Sequence, residues 1–222
     1  MKRIAVLASG GGSNSEALAA YLAGLGSGAP AGVVLVASHR TTAGALERAA
    51  KRNIATALIA NPANAEAMLA LLAEHQVDLI VLAGYLKQIP KAVTDAFRGR
   101  IVNIHPAMLP RHGGDGMYGI RVHQAVIAAG DTQSGATVHF VDAQYDRGAT
   151  IVKGLVAVLP GDTPDALAAR VLIAEHFILP RAVHALALGS IRIAADGSAD
   201  IGTAAPVRFV SAPDGVTIRL GP

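Results

Sequence analysis

Five short apolar runs, at residues 4–8, 32–37, 54–59, 79–83 and 101–104, punctuate the first half of this chain. Between them lie 16–25, 42–52, 64–76 and 91–97, each with apolar residues at helical spacing and a polar or proline entry. A short apolar run alone does not separate a strand from buried helix, so the alternation decides. Strands covered on both faces by helices read as near-continuous apolar runs, as these do. The pattern predicts an α/β fold with a doubly wound, mostly parallel sheet. Pro62 and Pro90 stand where helices can begin.

Beyond residue 104 the pattern changes. Residues 106–121 are rich in glycine and proline with no sustained period, which predicts a long loop. A short helix at 122–129 is followed by two strands, 136–141 and 150–159, expected to pair antiparallel across a polar link. Residues 163–188 read as one long helix, opened by Thr163-Pro164-Asp165, stopped by Gly189 and kinked or divided by Pro180. The tail is punctuated by Gly, Ala and Pro, with β-like pieces at 207–210 and 216–219. The expected fold therefore has antiparallel additions in its C-terminal half.

Composition narrows the chemistry. With 52% hydrophobic and 16% charged residues over 222 positions, the chain can bury a core and is not disordered. It has no cysteine, which excludes a disulfide framework, a thiolate nucleophile and a thiolate metal site. Nineteen Lys and Arg against sixteen Asp and Glu leave a formal charge of +3. These cations are scattered in nothing longer than pairs such as Lys2-Arg3, so no nucleic-acid-binding stripe is expected. The apolar start stops at Ser9, too short for a signal peptide, and no stretch approaches the roughly 18 apolar residues of a membrane span. A cytoplasmic protein is expected.

Three segments can carry chemistry. The first, Ser9-Gly10-Gly11-Gly12-Ser13-Asn14, joins the first strand to the first helix. Glycines admit a ligand to the backbone, and a helix N-terminus offers free N–H groups to a phosphate. The spacing is neither that of a Walker loop nor that of a dinucleotide fingerprint. An ordinary βα turn with Ser13 or Asn14 as N-cap fits the same residues.

The second segment is Asn103-Ile104-His105-Pro106, at the end of the fifth strand. Residues two apart on a strand share a face, so Asn103 and His105 can offer an amide and an imidazole to one developing oxyanion. They can equally satisfy loop backbone groups. The third segment, 142–148, follows His139 and holds Asp142 and Asp146. A carboxylate there orients a histidine, raises its pKa and relays protons, or serves as a turn residue before Gly148. Eight histidines show no metal-ligand spacing, so no metal is expected.

Five stretches in chain order resemble the motifs of the folate-dependent phosphoribosylglycinamide formyltransferases of purine synthesis. They are Ser9 to Asn14, Leu82-Ala83-Gly84-Tyr85-Leu86, Asn103 to Pro110, Ser134 to Val141, and Tyr145-Asp146-Arg147-Gly148. The resemblance implies a Rossmann-like formyltransferase fold and transfer of a formyl group from 10-formyltetrahydrofolate to the amine of glycinamide ribonucleotide. It implies that Asn103, His105 and Asp146 are catalytic, with Asn103 and a protonated His105 stabilising the oxyanion and Asp146 keeping that imidazole charged. It further implies that Gly11, Gly12, Ser13, Asn14 and Pro106 hold the ribonucleotide and that Glu175 contacts its ribose. Tyr85, Leu86, Lys87, Ile89, Val141, Asp142 and Gln144 would line the folate pocket.

On that likeness, residues 1–222 form a single formyltransferase domain with a nucleotide-binding half at 1–105. A folate-binding and catalytic half follows at 106–189, then a β-rich tail at 190–222. The partners expected are small molecules only, on a monomer or homodimer. Two departures stand out. The glycine-rich link between Pro110 and His123 is longer than in the best-known members, and Leu172 stands where some members place a lysine toward the phosphate.

Alternatives remain. A 10-formyltetrahydrofolate hydrolase resembles this core but carries an N-terminal regulatory domain, for which Met1-Lys2-Arg3 leaves no room before the first strand. Amino-sugar N-formyltransferases share the Asn-x-His and Asp elements but not the Gly-rich first turn. A non-catalytic binder would retain the loop and lose the catalytic trio.

Overall fold

The computed structural model describes residues 1–142, 144–202 and 213–221. They group into two compact units, Met1–Asn103 and Ile104–Pro222.

In the first unit, strands β1 (Lys2–Leu7), β2 (Ala31–Ser38), β3 (Ala55–Leu58), β4 (Leu79–Ala83) and β5 (Ile101–His105, which continues past the unit's last residue) alternate with helices. The helices are α1 (Ser13–Gly24), α2 (Gly44–Lys51), α3 (Ala65–Glu74) and α4 (Lys91–Ala96). The strand order is β5-β4-β1-β2-β3, and β1 pairs parallel with both β2 and β4, so that Val6 stands between Val36 and Val81. The whole of β4 is buried, and so are Ile4 to Leu7 of β1, as their apolar runs require. β3 differs: Ala55, Thr56 and Leu58 are exposed, because β3 is the edge strand and has one neighbour only. Asn64 opens α3 by accepting a 3.0 Å bond from the Ala67 N–H, and Pro90 is the cap of α4.

The chain runs from β1 outward to β3 and then returns to place β4 on the other side of β1. This reversal sets a topological switch point at the carboxyl ends of β1 and β4, the position at which open α/β sheets bind ligands.

In the second unit, α5 (Ile120–Ala128), β6 (Gln133–Phe140), β7 (Thr150–Ala157), α6 (Pro164–Ala187), β8 (Ile191–Ile193), β9 (Ala199–Ile201) and β10 (Val216–Leu220) follow the loop at 106–119. β6 and β7 pair antiparallel as expected, and β10 adds antiparallel to the far side of β7. Gly135 and Gly154 permit close packing here. A Cβ on Gly135 would collide with the Gly154 carbonyl, and one on Gly154 would press within 3.1 Å of Ala174 on α6.

Helix α6 is opened by Thr163, whose hydroxyl accepts from the Ala166 N–H at 3.2 Å, with Pro164 in its first turn. Of the two expected effects of Pro180, division does not occur: the helix is continuous to Ala187. Phe177, Ile178, Leu179, Ala182 and Val183 around that proline are all buried, and their packing offsets the one backbone bond that proline forfeits. The expected strand at 207–210 lies outside the described residues.

Candidate active site

In the first unit the carboxyl ends of β1 and β4 are tied together directly. The Ser9 N–H donates to the Gly84 carbonyl at 3.0 Å, and the Leu86 N–H donates to Ser9 Oγ at 2.9 Å. The Ser9 hydroxyl also shares a hydrogen bond with Nδ1 of His39, 3.2 Å away. The His39 ring meets Tyr85 edge-on with centroids 5.5 Å apart. Tyr85 and Ile89 are buried, Leu86 is half-buried and Lys87 is exposed, so the segment presents an apolar wall with one cation at its rim. Burial pushes the Tyr85 phenol up to about 12.

The loop at 10–12 is shaped by what it packs against. Gly12 adopts φ 79 and is itself the N-cap of α1, so neither Ser13 nor Asn14 has that role. A Cβ at Gly12 would stand 2.5 Å from Cα of Ala45, so this turn needs glycine on two counts. The Gly10 carbonyl accepts from the Ala45 N–H at 3.1 Å, and the Gly11 carbonyl accepts from Arg48 Nε at 2.9 Å. The first intrahelical bond of α1 runs from the Glu16 N–H to the Gly12 carbonyl, so the N–H groups of Ser13, Asn14 and Ser15 precede the helical ladder. These donors, the helix dipole and the Arg48 guanidinium suit an anion.

The second unit contains the acid–base constellation. His105, at the end of β5, is 4% exposed, and its Nδ1 stands 3.5 Å from Oδ2 of Asp146. The other carboxylate oxygen of Asp146 stands 3.5 Å from Nε2 of His139, on β6. One carboxylate is thus flanked by two buried imidazoles. Asp146 sits at φ 53, a left-handed conformation that aspartate tolerates, and its Oδ2 accepts from the Gly114 N–H at 2.9 Å. Two residues on, Gly148 leaves no room for a side chain, because a Cβ there would overlap the Phe140 carbonyl. The aspartate is held in place by the end of β6 and by the loop at 112–114.

Both histidines have one nitrogen committed to a carbonyl: His105 Nε2 to that of His112 and His139 Nδ1 to that of Phe140, each at 2.8 Å. A carbonyl only accepts, so those nitrogens carry hydrogen, and the nitrogens facing Asp146 are the ones left to exchange a proton. Burial draws the His105 imidazole below its ordinary range, outweighing the upward push of the Asp146 charge and of the His112 carbonyl. The sequence expectation of an imidazole kept charged by Asp146 is corrected on this point: the carboxylate acts in the expected direction, but desolvation wins. For Asp146, burial raises the carboxyl, yet the His139 hydrogen bond, the His105 charge and the Gly114 N–H together bring it below the usual carboxylate range.

Asn103 precedes His105 by two residues on β5 and is half-buried, as is Pro106 after it. Glu175 is buried on α6 at 8% exposure. Val141 is half-buried, while Asp142 and Gln144 are exposed and form a local turn in which the Gln144 N–H donates to Asp142 Oδ1 at 2.8 Å. Sequence reasoning had no role for His112 or Gly114 and noted His139 only as the histidine preceding the aspartate segment, in support of it. The nearest sequence signal was the Arg111-His112-Gly113-Gly114 stretch itself. Among the described residues no group of three or more His, Asp or Glu is arranged to hold a metal ion, and no helix is long and apolar enough to cross a membrane.

The formyl transferase family matches residues 2–183 of this chain. Phosphoribosylglycinamide formyltransferase, chloroplastic, of Arabidopsis thaliana is 38% identical over 204 residues, which cover 88% of this chain and 69% of that protein. The trifunctional purine biosynthetic protein adenosine-3 of Drosophila pseudoobscura pseudoobscura is 39% identical over 86% of this chain, which spans only 14% of that protein's length. Among solved structures, the phosphoribosylglycinamide formyltransferase of Anaplasma phagocytophilum superposes with a TM-score of 0.81 at 33% identity, covering 90% of this chain and 92% of that one.

Proposed function

The chain belongs to the formyl transferase family, and from that premise we propose that it transfers the formyl group of 10-formyltetrahydrofolate to the amine of glycinamide ribonucleotide, a step of purine synthesis. The observation that carries this reading is the buried Asp146 carboxylate flanked at 3.5 Å by His105 and His139, with Asn103 two residues before His105. This is a proton-handling group beside an amide donor, with no nucleophile of its own.

The substrate amine attacks the formyl carbon and a C–N bond forms, placing negative charge on the formyl oxygen. The Asn103 amide donates to that oxygen. His105, neutral in its buried resting state, takes up a proton at Nδ1 as the amine loses one. The imidazolium so formed lies against both the oxyanion and Asp146. Asp146, with a water molecule, passes the proton on to the folate nitrogen as its bond to the formyl carbon breaks. The products are a formamide and tetrahydrofolate, and the sequence uses neither a covalent enzyme intermediate nor a metal.

Ground-state binding follows from the same residues. Gly11, Gly12, Ser13 and Asn14 offer backbone donors to the ribonucleotide phosphate, and Arg48 adds the cation that Leu172 does not supply. Pro106 and Glu175 take the rest of the ribonucleotide. Tyr85, Leu86, Lys87 and Ile89 receive the folate with Val141, Asp142 and Gln144.

Incubation with 10-formyltetrahydrofolate, with and without glycinamide ribonucleotide, tests the proposal. Tetrahydrofolate forms only when the amine is present. Folate turnover in its absence, with release of formate, would identify a hydrolase instead, and no turnover in either case would identify a binder.

A further inference from the structure

The long glycine-rich link has a specific architecture in the second unit. Its residues 112 to 114 touch both members of the acid–base pair: the His112 carbonyl accepts from His105 Nε2 at 2.8 Å, and the Gly114 N–H donates to Asp146 at 2.9 Å. Gly113 between them is fully hemmed in, since a Cβ there would overlap Leu109 and approach Cβ of Asp146 to 3.3 Å. His112 holds this path by adopting φ 55, a left-handed conformation uncommon outside glycine, although histidine is among the residues that enter it.

What holds it there is Asp131. Its Oδ2 accepts from His112 Nε2 at 2.6 Å and its Oδ1 pairs with Arg111 Nη2 at 2.7 Å, so two consecutive link residues are gripped by one carboxylate. Asp131 follows α5, and its own N–H donates to the Val126 carbonyl at 3.3 Å, which ties the anchor to the helix end. His112 and the Asp131 side chain are largely buried, at 12% and 13% side-chain exposure, so this is an internal contact and not a surface ion pair.

We propose that Asp131 is a positioning residue for His105: by gripping Arg111 and His112 it sets the His112 carbonyl on Nε2 and so makes Nδ1 the nitrogen that gives and takes the proton. Without the anchor the neutral imidazole is free to carry its hydrogen on either nitrogen. The other tautomer places a bare Nε2 against a carbonyl and an N–H toward Asp146, so the ring starts the reaction with its accepting site already filled. The consequence for turnover rests on the formyl-transfer reading; the tautomer itself does not.

The test is long-range 1H–15N correlation of the His105 ring, which distinguishes a protonated from a bare ring nitrogen, recorded on the whole uniformly labelled chain over a pH series. The titratable groups facing His105 are Asp146, His112, His139 and His123, and their signals are followed in the same spectra. In the wild type the neutral ring carries its hydrogen on Nε2 alone. Asp131→Ala and His112→Asn cut the anchor from its two ends, the second with a residue that tolerates left-handed backbone. Both are expected to give a mixed tautomer, while Asp131→Glu restores the wild-type one. The same two variants lower kcat about tenfold to a hundredfold, as expected for a lost bond to a group that becomes charged, with little change in KM for the amine.

A folded variant of either kind whose neutral His105 still carries hydrogen on Nε2 alone overturns the proposal. If the tautomer shifts but the wild-type chain transfers no formyl group, the positioning role stands and the formyl-transfer reading fails.

Discussion

Oδ2 of Asp146 faces Nδ1 of His105 across 3.5 Å, beyond the length of a good hydrogen bond, although the same oxygen is held at 2.9 Å by the Gly114 N–H. The carboxylate is fixed by the link, and the imidazole is fixed by the His112 carbonyl. What lies between them is an electrostatic contact with slack in it. That slack suits a pair whose proton has to move, because a short bond would commit the proton before substrate arrives.

On the proposed mechanism Asn103 supplies the amide for the developing oxyanion. Asn103→Ala is expected to lower kcat by about 10² to 10³, the range found when one oxyanion donor is removed, with KM for both substrates changed little. Steady-state kinetics check this, and wild-type turnover by the variant would remove Asn103 from the mechanism.

Gly12 caps α1 at φ 79 with Ala45 pressed against it. Gly12→Ala adds both backbone strain and a Cβ only 2.5 Å from Cα of Ala45, for a cost of roughly 1–3 kcal/mol. The expected outcome is a lower melting midpoint and a raised KM for the ribonucleotide, with KM for the folate less affected. An unchanged midpoint in thermal denaturation would show that the turn can open without cost.

Burial holds His105, His123, His176 and His184 below the ordinary histidine value of 6.5. The unfolded chain therefore takes up protons that the folded chain refuses, and stability falls as pH drops below 6.5 through those depressed values. Asp146, held below the ordinary 3.8, adds a second loss at still lower pH, where its carboxylate is finally protonated. The melting midpoint is expected to decline between pH 7.5 and pH 5. A flat profile over that window would contradict the assignment of these imidazoles as neutral and buried.

Much of the first unit was legible because its strands carry their burial in their composition: Ile4 to Leu7 and Leu79 to Ala83 are apolar throughout and buried throughout. The edge strand β3 was recognised as a strand but not as exposed, since position in a sheet is a property of topology. The cap of α1 was not legible because Gly12 supplies it with backbone alone, while Ser13 and Asn14 just after it are the residue types that usually cap. That Pro180 leaves the helix undivided was not legible, because local propensity takes no account of the buried residues around it. In the site, spacing put Asn103 and His105 on one strand face, and the motif at 145–148 singled out Asp146. The grip of Asp131 on His112 was not legible: the two are separated by a helix, share no periodicity and meet only once the link is folded.

On the proposed function, the Asn103, His105 and Asp146 constellation moves a formyl group from folate to an amine. The most direct measurement is a single turnover with formyl-labelled 10-formyltetrahydrofolate and glycinamide ribonucleotide, run in parallel on the wild type and Asp146→Asn. The label lost from folate by the wild type is expected to be recovered in full on the ribonucleotide amine, while the variant retains it on folate with a rate lower by about 10² to 10⁴. Label recovered as formate, or a variant that transfers at the wild-type rate, would contradict the claim.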